Sequence, residues 1–157
     1  MSMRVRAVLA AMAFGAAMCL GSGTADAQSA PNPPPLVDKP FVEHRLALQL
    51  SDRDAAKQGL VLSVANNLLK YYGPDKIAIE VVAFGPGIDL LRAGSPNRAR
   101  VDSLVSQGVR FDICMNTVET LEREGQHVDI NPKASRVQVG VGRILELTEK
   151  GYTLVRP

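Results

Sequence analysis

The chain has 157 residues, 18 of them basic and 16 acidic, for a formal net charge of +2. Aromatic residues make up 4%, tryptophan is absent and the basic residues form no stripe, which argues against nucleic acid as a partner. Two cysteines and two histidines have no metal-ligand spacing and no multi-bridge disulfide pattern, so neither a metal nor another cofactor is expected.

Residues 1–27 read as a secretory signal peptide. Arg4 and Arg6 supply the positive start, residues 7–20 are almost unbroken apolar, and Ala25-Asp26-Ala27 is a small-x-small cleavage pattern. The apolar run is 14 residues, short of the roughly 20 that cross a bilayer as a helix. Met18 before Cys19 disfavours a lipoprotein, and Val5 between the arginines disfavours a twin-arginine signal. Cleavage after Ala27 leaves 130 residues, 16 basic and 15 acidic, without a stable membrane span and bound for the periplasm. Residues 28–40 hold five prolines (31, 33, 34, 35 and 40), an extended linker rather than core.

Residues 41–157 form one domain in which strand and helix patterns alternate. Residues 44–50 alternate through Leu46, Leu48 and Leu50 as a strand. Polar residues 51–54 offer N-caps, and 55–72 carry a helical stripe stopped by Gly73-Pro74. Residues 77–84 are a β-branched apolar strand turned by Gly85-Pro86-Gly87, with a short helical turn over 88–91. Ser95-Pro96 opens a helix over 98–107 that ends at Gly108. Residues 109–114 are a third strand, and Asn116 and Glu119 have capping-box spacing for a helix to Glu124. After a loop over 126–135, residues 136–139 are a fourth strand, 141–148 a last helix and 152–155 a fifth strand. This order gives an α/β fold: a doubly wound, mostly parallel five-stranded sheet with helices on both faces.

In such sheets ligands bind beyond the carboxyl ends of the strands, where the strand order reverses. The rule selects the loops over 51–54, 85–87 and 114–117, and with them Ser51, Asp52, Gly85, Asn116 and Thr117. Cys114 falls at the same edge. With the signal removed it is the one cysteine left, so it is buried and inert, paired with another molecule, or reactive. A helix opening at Asn116 or Thr117 favours a thiolate, whereas Asp112 on the same strand face opposes one. His127, in the loop after that helix, is a candidate base, and His44 is expected at the surface. Asn66 and Asn67 are polar within an apolar helix and fit a contact with a neighbouring subunit or loop. There is no phosphate-binding glycine loop and no Gly-x-Ser-x-Gly elbow.

The segment Cys114-Met115-Asn116-Thr117, after the strand Val109-Arg110-Phe111-Asp112-Ile113, resembles the Cys-x-Asn-Thr segment of the DsrE/DsrF-like (DsrEFH-like sulfur relay) family. Gly140-Val141, Leu147, Gly151-Tyr152 and Arg156-Pro157 are similar to that family's closing helix and strand, with Leu154 where members often have an aromatic residue. The resemblance spans roughly residues 43–157. It implies a homo-oligomer of small α/β domains in which Cys114 accepts sulfane sulfur as a persulfide and passes it to a partner thiol protein. Two alternatives stay open: a non-catalytic oligomeric binding or assembly module with Cys114 as packing, and a disulfide between subunits.

Overall fold

The polar break at residues 51–54 ends the first strand by offering a cap. Asp54 accepts the Lys57 amide at 2.9 Å, and the helix α1 (Ala55–Tyr72) follows β1 (His44–Leu50). The computed structural model describes residue 39 and residues 41–157. The expected signal peptide and, Lys39 apart, the proline-rich linker lie outside the described residues. Lys39 Nζ donates to the carbonyls of Pro74 and Ile77, so the end of the linker is tied to the domain.

The remaining elements are β2 (Ile77–Ala83), a 3-10 helix (Gly85–Leu91), α2 (Arg98–Ser106), β3 (Arg110–Cys114), α3 (Met115–Arg123), β4 (Ser135–Val137), α4 (Gly140–Glu149) and β5 (Thr153–Val155). All strand pairings are parallel and the order is β4-β3-β2-β1-β5. The sheet is thus an α/β architecture with helices on both faces, as the alternating pattern requires.

The connectivity decides which helix covers which face. From β1 to β4 the chain steps one way across the sheet, and right-handed crossovers put α1, the 3-10 helix, α2 and α3 on one side. Their buried residues, among them Val61, Leu62, Leu90, Val101 and Val118, pack against Leu48, Val81, Phe111 and Ile113 in the main core. The connection from β4 runs back over the whole sheet to β5, beyond β1, so the same rule puts α4 on the opposite face. There the apolar cluster is small: Ala47, Val82, Ile144, Leu147 and Tyr152. The exit loops of the adjacent strands β3 and β4 therefore leave towards opposite faces, which makes the β3/β4 carboxyl edge the switch point where such sheets form a crevice.

Boundaries moved where tertiary contacts compete with local signals. The turn at Gly85-Pro86-Gly87 and the helical turn after it are one continuous 3-10 helix. Ser95 Oγ accepts the Asn97 amide, but helix geometry begins only at Arg98, with Asn97 as its N-cap. The fourth strand ends at Val137 rather than residue 139, because Gln138 and Val139 turn out of the sheet into α4. The expected capping box of Asn116 and Glu119 does not form. Cys114 is the N-cap of α3, and both side chains instead accept from the Gln138 amide.

Gly87 fixes how the 3-10 helix meets the sheet. A Cβ there would lie 2.3 Å from the carbonyl oxygen of Leu50 and 2.7 Å from its carbonyl carbon, both backbone atoms that cannot swing aside. Overpacking of this kind typically costs about 3 kcal/mol at the upper end of its ordinary range. Gly87→Ala should therefore lower the denaturation midpoint, with a fall in Tm on the order of 10 °C; a melt unchanged from wild type would show that the Leu50 turn yields freely.

Candidate functional site

Cys114 ends β3 at the switch point, and its side chain faces α4. Along β3 the residues alternate: Phe111 and Ile113 enter the main core, while Arg110, Asp112 and Cys114 take the other face. The Sγ accepts the backbone N–H of Gly140, the first residue of α4, at 3.2 Å. The thiol can in turn donate to the carbonyl of Gln138, 3.8 Å away. α4 has no side-chain cap at Val139, so the sulfur satisfies one of the amides that every helix start leaves open. It is the start of α4, and not that of α3, that points at the thiol. The approach is close: a Cβ on Gly140 would lie 3.1 Å from both the Cys114 and the Phe84 Cβ atoms. Cys114 is 5% exposed.

The segment over the sulfur is tied down from α3. The Asn116 N–H donates to the Gln138 carbonyl at 3.1 Å. The Gln138 side-chain amide donates to Asn116 Oδ1 at 2.9 Å and to Glu119 Oε1 at 3.1 Å. Asn116 thus acts through the strap and not on the sulfur. Val139, next to Gln138, is half exposed.

Beside Cys114 on the same face lies a buried charged cluster that the sequence reading did not assemble. Glu80 on β2 and Asp112 on β3 are both 0% exposed. Arg143 on α4 grips Glu80 with two hydrogen bonds, Nε to Oε1 at 2.5 Å and Nη2 to Oε2 at 3.1 Å, and its Nη1 reaches Glu146 at 2.8 Å. Arg110 donates to Asp112 Oδ1 at 2.8 Å and lies 3.8 Å from Glu80. Two carboxylates so close cannot both ionise cheaply. Burial, the hydrogen bond with Glu80 and the Glu80 charge raise the Asp112 carboxyl to about 8 against the pull of Arg110. Burial also opposes the charge on Glu80, but the hydrogen bond with Asp112 and the Arg143 guanidinium outweigh it and hold Glu80 below its ordinary value. Arg143 Nε also lies 3.5 Å from Asp112 Oδ2, so its guanidinium faces both carboxyl groups. The signal in the sequence was an acidic residue inside the apolar run of β2, and Asp112 in β3.

The other expected site residues separate into two places. Gly85, Asn116 and Thr117 line a cleft of about 460 Å³ between the 3-10 helix and α3, together with Arg53, Asp89 and Leu121. The Gly85 N–H donates to Thr117 Oγ1 at 3.0 Å, which locks the two loops together. Cys114 does not line that cleft, because its side chain points to the opposite face of the sheet. Ser51 is half buried behind Gly85, its carbonyl 3.9 Å from where a Gly85 side chain would start. Asp52 pairs with Lys57 at 3.0 Å and Arg156 at 4.0 Å, towards the β5 end. His127 is exposed and lines a separate cleft with Asp89, Arg92 and Ser95, on the side away from the Cys114 sulfur. His44 is exposed and stacks on Tyr72 with ring centres 4.0 Å apart. Asn66 and Asn67 face a groove between α1 and α2 with Ser63 and Arg100.

Among the described residues no group of three His, Cys, Asp or Glu side chains is placed to hold a metal ion. Nor is any described helix long and apolar enough to cross a membrane. No family model matches the chain, and no curated protein matches it. Among solved structures it is similar to MTH1491, a protein of unknown function from Methanobacterium thermoautotrophicum. The two share 30% identity over 73% of this chain and 100% of that one, with a TM-score of 0.67.

The carboxyl pair makes stability depend on pH in a defined direction. Asp112 binds its proton more tightly in the folded chain than in the unfolded one, where its ordinary value is 3.8. Its stabilising effect is complete below that value and is lost as pH rises through about 8. Glu80, held low, works the other way, and its contribution is lost as pH falls below its ordinary 4.5. Melting temperatures should therefore decline from about pH 5 to about pH 8 and level off above that. Asp112→Asn keeps a neutral side chain that donates to Glu80, and should flatten that decline; an unchanged slope would place the proton elsewhere.

Proposed function

The chain belongs to the same family as MTH1491, and from the setting of its one described thiol we propose that it carries sulfane sulfur as a persulfide on Cys114. The observation that carries the proposal is the Gly140 N–H aimed at Sγ at the switch-point edge of the sheet. A sulfur anion held there, as thiolate or as persulfide, meets a backbone donor at the positive end of a helix. The likeness of Cys114-Met115-Asn116-Thr117 to the DsrE/DsrF-like segment supports the same reading.

The step is a sulfur transfer without an external oxidant. The Cys114 thiolate attacks the terminal sulfur of a persulfide donor, R–S–SH. A new S–S bond forms, the donor S–S bond breaks, and its electron pair leaves on the R–S⁻ thiolate. The proton stays with the transferred sulfur. An acceptor thiolate then attacks that outer sulfur and releases Cys114 as thiolate. The strap of Gln138 and Val139 has to lift for either exchange, since it covers the sulfur.

We place this chemistry in the periplasm, where the expected signal peptide would deliver the chain, and in a homo-oligomer. The apolar side chains of Val139, Val141 and Leu145, exposed around the first two turns of α4, support contact with a second copy. A second reading, an assembly module with Cys114 as packing, is favoured by the 5% exposure of the cysteine and its tight fit against Gly140.

Incubation of the purified full-length protein with inorganic polysulfide, followed by tandem mass spectrometry, separates the two. A gain of about 32 Da on the Cys114 peptide, absent in Cys114→Ser, is the expected outcome. Native mass on the same sample reports the second copy. A thiol that gains no sulfur and reacts with alkylating reagents only after denaturation would leave the packing reading.

A further inference from the structure

We infer that Arg143, gripped by Glu80, is the positioning residue for Cys114: the buried ion pair sets the first turn of α4 so that the Gly140 amide points at the sulfur. The inference rests on the proposed role of Cys114 and names how that site is held.

Three observations carry it. First, Arg143 and Gly140 belong to the same helical turn, and the Arg143 N–H closes that turn on the Val139 carbonyl at 2.9 Å. Moving Arg143 therefore moves Gly140. Second, Arg143 is the side chain of α4 itself that anchors its first turn, the strap at Gln138 being held from α3 before the helix begins. α4 has no side-chain cap, and its apolar anchors, Ile144 and Leu147, lie further along the helix. Third, the grip is directional. The guanidinium meets both Glu80 oxygens in a planar fork, with Glu80 on the central strand β2 and 0% exposed.

The titratable groups around this point come from three strands and from α4. They are Glu80 from β2, Arg110 and Asp112 from β3, and Arg143 and Glu146 from α4, with Arg45 from β1 and Tyr152 nearby. The carboxylates oppose a sulfur anion and the arginines favour it. Positioning and simple charge consequently predict different outcomes for one variant. In an Asp112→Asn background, where no second carboxyl can ionise in its place, Glu80→Gln removes a negative charge, so charge alone would leave the ionisation of Cys114 in place or move it to lower pH. Loss of the fork loosens the Gly140 amide and moves it to higher pH.

The test is a titration of the ultraviolet thiolate absorbance, taken as the difference from Cys114→Ser so that Cys19 and the tyrosines cancel. This readout needs no access to the sulfur. Folding of each variant is checked by circular dichroism. For both Glu80→Gln and Arg143→Met, each made in the Asp112→Asn background, the titration should move up by about one pH unit, a roughly tenfold smaller thiolate fraction at low pH. Arg143→Lys in the same background, which keeps the charge and one contact, should fall between them and Asp112→Asn alone. A titration of Glu80→Gln in that background that stays in place or moves down relative to Asp112→Asn alone, in a folded protein, overturns the inference. If Arg143→Met does not fold, Glu80→Gln alone decides. The sulfur-loading measurement stands apart: wild type that takes up no sulfane sulfur removes the carrier function, while the shift in titration still tests the positioning.

Discussion

Among the described residues a single helix covers the second face of the sheet, and a buried ion pair holds it at its first turn. Three α-helices and a 3-10 helix share the other face, where large apolar side chains interlock. On the α4 side the apolar cluster is small, and Glu80, Asp112, Arg110 and Arg143 fill the space that would otherwise be core. Replacing such a cluster by apolar residues is often neutral or stabilising, whereas removing one partner typically costs about 3–5 kcal/mol. The cluster is thus weak as a source of stability and strong as a specification of geometry. It admits one seating of α4, and that seating puts the Gly140 amide on Cys114.

Topology explains why these groups meet. The strand order reverses between the exits of β3 and β4, so α3 and α4 diverge from one crevice, and Cys114 and Gly140 stand on its two sides. Asn116, at the start of α3, reaches across the crevice to Gln138 and fastens the strap. The cleft between the 3-10 helix and α3 opens on the other face, with Gly85 and Thr117 tied to each other at its base. The carboxyl edge therefore offers two separate environments: a cleft without the sulfur, and a sulfur without an open cleft.

Much of this was legible in the sequence where the signal was local. The alternation in residues 44–50, the β-branched run of β2 and the Gly and Pro stops place most elements within a residue or two. β4 has three residues and one buried side chain, too little pattern to set its end. Asn116 and Glu119 have the spacing of a capping box, but Gln138, 22 residues from Asn116, took both side chains. Alternation put Asp112 and Cys114 on one face, yet it cannot say which helix covers that face; that depends on the return from β4 to β5. Glu80 stands out as a charge in an apolar run, while its partner Arg143 lies 63 residues away and reads as an ordinary helix-surface cation.

The central claim is that the α4 amide attends the sulfur of Cys114 while it carries cargo. Following the Gly140 ¹H–¹⁵N resonance by NMR as the protein is loaded from inorganic polysulfide tests this directly. The account predicts that the Gly140 signal shifts strongly on loading and returns when a small thiol removes the sulfur, with little change at residues of the α1–α2 groove. A Gly140 signal that stays put while mass spectrometry finds the added sulfur on Cys114 would contradict it.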